Sequence, residues 1–272
     1  MRAGEPPPAP EPLPAGALDS HCHLDAMGCR DDADVARVVE QAQVVGIRRL
    51  VTAGDTVDSS RWAADRAAAH PDVYATAAVH PNETGDLGDD TYGQLETLGK
   101  LPQVVAIGET GLDYYWGRVE PKIQQEAFRR HIALAKSVGK ALVIHDRDAH
   151  ADILRILREE NAPEHTVFHC FSGDPEMARE CVAAGYVLSF AGTVTFKNAP
   201  DLRAAAALVP GELMLVETDA PFLTPMPYRG RPNAPYLVPL TVRVLAAATG
   251  RPVERLCADL TATAARIFGL PG

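Results

Sequence analysis

None of the five cysteines, Cys22, Cys29, Cys170, Cys181 and Cys257, is spaced as C-x-x-C, and an odd number of scattered thiols does not make a disulfide framework. Free thiols of this kind fit a reducing cytosol, and the chain is expected there, acting as a monomer. No apolar run reaches the ~20 residues a membrane-spanning helix needs, so no membrane partner is expected. Basic residues are too few for a broad polyanion-binding surface: 26 lysines and arginines stand against 36 aspartates and glutamates, a formal net charge of −10. Bound cations can reverse that field locally, so the charge disfavours nucleic acid without excluding it. There is no internal repeat, and no Gly-x-Gly-x-x-Gly follows the first predicted strand, which argues against a Rossmann fold. The opening stretch MRAGEPPPAPEPLPAGA holds six prolines and no apolar core of the kind a secretion signal carries. Residues 1–17 are therefore expected to be a disordered, extended tail, and residues 18–272 one folded domain.

What is present is alternation. Eight strand-like segments, ALDSHCHL, RRLVTAG, VYATAAVH, VVAIGETG, ALVIHD, TVFHCF, YVLSFAG and LMLVETD, each precede a helical pattern. Continuous apolar strands alternating with helices predict a parallel sheet covered by helices. Eight units in 272 residues fit a closed (β/α)8 TIM barrel better than a doubly wound sheet. The stretch from Tyr236 to Phe268 reads as two or three further helices.

The position of the polar residues is the informative feature. His21 and His23 alternate on one face of strand one, His80 ends strand three, Glu109 strand four, His145 strand five, His169 strand six and Asp219 strand eight. In a parallel barrel these ends open onto one face, where barrel active sites are built. Four or more imidazoles with two carboxylates suit zinc or manganese, with magnesium an alternative. The set exceeds one tetrahedral site, so two adjacent divalent ions (Mg, Mn or Zn) sharing a carboxylate are inferred. His70, His131, His150 and His165 fall in helices or their flanks and receive no role.

The segments DSHCHLD, AVHPNE, AIGETGLDYY, VIHDRDAH, FHCFSG, SFAGTVTFKNA and ETDAPFLTPMPYRGRPNAP occur in the order expected of the TatD-related DNases, which the chain resembles from Leu18 to Phe268. The resemblance implies a metal-dependent hydrolase of DNA phosphodiesters, a 3′–5′ exonuclease working through a metal-bound hydroxide. It implies His21, His23, Glu109 and Asp219 on one metal, and the bridging Glu109 with His145 and His169 on a second. Asp219 would accept the proton of the attacking water, with Glu109 also catalytic, and Glu217 would orient a ligand from behind. His80, Arg229 and Arg231 would contact the DNA substrate. Two departures bear on that contact: Arg231, Pro232, Asn233 and Ala234 replace a lysine-arginine-asparagine-glutamate run, and Asn82 stands where relatives have histidine. The alternatives are an amidohydrolase of a small C–N or ester substrate and a degenerate barrel that binds without turnover. The first is disfavoured because Glu109, not a lysine, ends strand four.

Overall fold

The computed structural model describes residues 4–270. Eight parallel strands follow one another in chain order around a nearly closed barrel: β1 (Ala17–Cys22), β2 (Ile47–Thr52), β3 (Val73–Ala77), β4 (Val104–Asp113), β5 (Ala141–Arg147), β6 (Thr166–Phe168), β7 (Val187–Phe190) and β8 (Met214–Val216). Between them run α1 (Asp32–Val44), α2 (Val57–Ala69), α3 (Asp89–Gly99), α4 (Pro121–Val138), α5 (His150–Glu159), α6 (Pro175–Ala183) and α7 (Pro200–Ala206). Two helices, α8 (Val238–Thr249) and α9 (Val253–Phe268), close the chain. The expected barrel is present, in a single domain.

Local chemistry sets the helix boundaries. Asp31 and Asp174 cap α1 and α6 by accepting from the backbone N–H of Asp34 and Met177, and Thr56 with Ser59 forms a reciprocal capping box on α2. Gly139, with φ of 65°, ends α4 in the left-handed conformation that a side chain would disfavour.

Leu18, Val51, Val105, Val143, Val167, Val187 and Leu215 come from seven strands yet form one buried cluster with Ala264, Ile267 and Phe268 of α9. Side chains of seven strands meet only inside the barrel. Leu18, Val105 and Val187 stand at or next to their strand starts, so α9 plugs that end and leaves the opposite mouth for chemistry.

The seam between β8 and β1 is short. It consists of a single bridge, Cys22 to Ala220, and the N–H of His23 and Asp219 donating to the carbonyls of Ala220 (2.7 Å) and His21 (2.9 Å). Below it, the buried carboxylate of Asp19 accepts from the backbone N–H (2.9 Å) and hydroxyl (2.5 Å) of Thr218.

The proline-rich segment needs a correction. Residues 4–16 carry no helix or strand, and they lie along the barrel and not free of it as a disordered tail would; Met1 to Ala3 fall outside the described residues. Arg231 donates to the carbonyls of Glu5 (2.7 Å) and Pro6 (2.8 Å), the Tyr236 hydroxyl to Pro7 (2.7 Å), and Arg243 to Glu11 (2.9 Å) and Pro12 (3.1 Å). Leu13 is buried, and its N–H donates to Val45. Composition missed this because prolines, already restricted in φ, lose less entropy on ordering than a flexible tail would.

Candidate metal centre

The backbone brings the expected ligands together by two irregularities. Pairing of β1 with β2 slips between Asp19 and Cys22, beside His21, and pairing of β4 with β5 slips between Ile107 and Thr110, at Glu109. Such bulges re-aim side chains at barrel rims. Beyond the second slip Gly111 pairs with His145 at φ of 141°, where an added Cβ would stand 2.1 Å from the His145 carbonyl oxygen. Only glycine permits that approach. Asp219 follows β8 with its backbone in the left-handed region (φ 54°), a conformation aspartate tolerates better than most residues.

Glu109 is the hub. Its Oε1 lies 2.5 Å from His145 Nδ1, 2.7 Å from His169 Nε2 and 3.6 Å from His80 Nε2. Its Oε2 lies 3.2 Å from His21 Nε2 and 3.6 Å from His23 Nε2. Asp219 Oδ1 stands 3.4 Å from His23 Nε2, and donor atoms of His21, His169 and Asp219 fall within 4.8 Å of one another. All six expected metal ligands therefore converge on one pocket. His80, expected at the substrate, joins the histidines around Glu109 Oε1.

This donor set fits cations. Ligands ~2.1 Å from one ion stand ~3.4 Å apart, close to the separations found. The Nε2 atoms of His21 and His23 face each other at 3.2 Å, a contact that repels unless positive charge lies between two lone pairs. Nδ1 of His21 and of His23 are buried without a hydrogen-bond partner among the described residues.

Electrostatics gives the same answer. Burial favours the neutral form of Glu109, yet His169, His145 and His21 outweigh it and hold its pKa well below the carboxylate range. Burial also opposes charge on His23, but Asp219, Asp55 and Glu109 push its pKa up to about 10. His145 is pushed up to about 9 in the same way by Asp113 and Glu109, and His169 well above its usual value by Glu109 and Glu217. By contrast, burial with little compensation lowers His80 to about 4. The carboxylates recruit protons onto three imidazoles, and a divalent cation supplies the same charge while releasing those protons.

Behind the ligands stand two carboxylates. Glu217 Oε1 accepts from the Cys170 N–H (2.8 Å) and lies 3.2 Å from His169 Nδ1, the orienting position expected of it. Asp113 Oδ2 lies 3.1 Å from His145 Nε2 and accepts from Asn82 Nδ2 (3.0 Å), while its Oδ1 takes the N–H of Tyr115 (3.0 Å) and Trp116 (3.2 Å). Such partners fix ring orientation and raise ligand basicity.

A family model described as TatD related DNase matches residues 18–269. The chain belongs to that family. Within it, the "Uncharacterized metal-dependent hydrolase TatD" of Mycobacterium tuberculosis is 48% identical over 93% of this chain and 98% of its own. The "3'-5' ssDNA/RNA exonuclease TatD" of Erwinia billingiae is 35% identical over 88% and 94%. Among solved structures, YjjV, a TatD homologue from Escherichia coli K12, superposes with a TM-score of 0.87 at 26% identity, covering 94% of this chain and 98% of that one. As a TatD-family protein the chain is a metal-dependent hydrolase, and among its described residues no helix is long and apolar enough to cross a membrane.

The arginines of this TatD chain divide differently from the expectation. The Arg229 guanidinium lies 4.4 Å from the Phe196 ring, and Arg231 is committed to the N-terminal strap. The mouth, a cavity of about 580 Å³, is instead lined by Arg118 and Arg147 with Trp116 and Phe222. These residues and Asp113 carry no sequence signal as distinct as the histidines, although Asp113 lies within GLDYY and Arg147 within VIHDRD. Asp55, 3.6 Å from His23 Nδ1, carried no signal, since it follows β2, the one strand of the first six with no histidine or glutamate at its end.

Proposed function

We propose that the chain is a divalent-metal-dependent deoxyribonuclease that removes nucleotides from the 3′ end of DNA. The observation that carries this reading is the division of Glu109, whose two oxygens face two separate groups of imidazoles. That arrangement suits a pair of cations, held by His21, His23 and Asp219 on one side and His145 and His169 on the other, with Glu109 between. Bound there, the ions would polarise the phosphate and make water nucleophilic near neutral pH.

The remaining work falls to the chain's own groups. Asp219 is the least buried ligand of the His21 group, with its side chain 13% exposed toward the mouth. Its pKa, which burial would raise, is held below the ordinary value by His23, His169 and His21, so it is a carboxylate at neutral pH and can take the proton of an attacking water. Glu217 and Asp113 hold His169 and His145 in place during that step. Arg118 and Arg147 supply positive charge at the mouth, which an anionic backbone requires and a small amide does not. The name borne by the Erwinia billingiae relative supports the same direction of attack.

The test is digestion of 3′- and 5′-labelled single- and double-stranded DNA with magnesium, manganese or zinc. Early release of the 3′ label and a shortening ladder from the 5′ label are expected. No cleavage by metal-loaded protein that hydrolyses simple amides or esters would put the chain on the amidohydrolase reading.

A further inference from the structure

Just beyond β4 the chain presents two large aromatic side chains to solvent. Tyr115 is 55% exposed and Trp116 54%. Their rings pack edge to face at 5.0 Å, and the Asp113 carboxylate, which also faces His145, fixes the backbone N–H of both. The Arg147 guanidinium lies 3.9 Å from the Tyr115 ring and 5.5 Å from that of Trp116, with Arg118 5.6 Å from Trp116 on its own loop. Neither guanidinium has a carboxylate partner or side-chain hydrogen bond among the described residues. Trp116, Arg118 and Arg147 line the same cavity as Glu109 and Asp219.

We propose that Tyr115, Trp116, Arg118 and Arg147 form a nucleotide subsite in which an unpaired base stacks on the aromatic pair and the adjoining phosphate takes the arginines. The proposal rests on the nuclease reading and names the part of the substrate held outside the metal centre. An aromatic pair serving only the fold would bury its faces, whereas these two keep half their surface in water and are tied through Asp113 to a metal-ligand histidine. Aromatic faces beside unpaired guanidiniums match the alternation of base and phosphate along a single strand. A base inside a duplex offers no free face, so the subsite selects single-stranded or frayed ends. Glu83 and Asp146 line the cavity too and repel phosphate, which keeps the footprint short.

The experiment uses the full-length, metal-loaded protein and two strands of equal length and charge: an oligothymidylate, and the same strand with abasic sugars through its 3′-terminal segment. Trp116→Ala and Tyr115→Ala should each raise KM for oligothymidylate about 10-fold, within the range for losing one base–aromatic stack, with kcat little changed. On the abasic strand the variants should match the wild type, which has already lost the stack. A second measurement needs no turnover. Trp62 and Trp116 are the only tryptophans, so Trp62→Phe leaves Trp116 as the sole reporter. Phosphorothioate oligothymidylate should quench its fluorescence, and the abasic strand should not. Unchanged KM in both variants, equal losses on both strands, or absent quenching would each overturn the subsite. Quenching without cleavage of any strand would leave the subsite standing and remove the nuclease reading instead.

Discussion

His131→Phe tests how the α4 helix holds the mouth. His131 is fully buried, its Nδ1–H donates to the Ala127 carbonyl at 2.7 Å, and its Nε2 accepts the N–H of Val79 at 3.1 Å, one residue before His80. That pattern requires the neutral ring, because a proton on Nε2 would point at the Val79 N–H. Burial accordingly lowers the pKa to about 4, against ~6.5 in the unfolded chain. Between those values the unfolded state binds the extra proton, so stability rises with pH and is lost as pH falls from 6.5 toward 4. The loss is ~1.4 kcal/mol per pH unit, about 3 kcal/mol in all. Phenylalanine removes both the titration and the acceptor, and leaves a buried N–H unpaired at ~1–3 kcal/mol. At pH 7.5 the variant should therefore be less stable by that amount, and below pH 6.5 the gap should narrow, by about 2 kcal/mol at pH 5. Urea unfolding of both proteins at matched pH and metal concentration measures it, since the difference cancels every titrating group and metal effect they share. A gap that stays constant from pH 7.5 to pH 4.5 would refute the buried neutral imidazole.

Glu109→Gln keeps the shape and removes the charge both imidazole groups face. Metal content after dialysis should collapse and hydrolysis fall more than about 100-fold, beyond the loss typical of an orienting partner. Gly111→Ala drives a Cβ into the His145 carbonyl and should cost about 3 kcal/mol or more in urea unfolding, with weaker metal binding. Arg231→Ala should release the strap, lowering thermal stability by about 1 kcal/mol while leaving KM for oligothymidylate unchanged; a raised KM would return Arg231 to the substrate. Deleting residues 1–12 should cost a similar amount and leave the barrel folded and active.

The barrel was legible because period and composition repeat eight times, and the convergence of the candidate ligands because each sits where a strand ends. Strand length was less so: LMLVETD forms a strand only over Met214–Val216, since Thr218 and Asp219 turn away to bond Asp19 and His21. His131 passed as an unremarkable helix residue because its partner is a backbone N–H, and no pattern marks which N–H a buried ring will meet. The contacts of Arg231 were hidden for a similar reason. A guanidinium near a motif resembles a phosphate ligand until the carbonyls of a distant proline-rich segment are seen to occupy it.

The seam that closes the barrel also orders events in time. Asp19 and Thr218, which meet there, lie 199 residues apart, and His21 and Asp219, both among the candidate metal ligands, straddle the same join. At ~5–20 residues per second the ribosome takes about 10–40 s to pass from one to the other. At the start of that interval His21 and His23 stand alone, and Glu109, His145 and His169 join them one strand at a time before Asp219 is made. The full donor set is present only once β8, the last strand, has been made and has closed against β1.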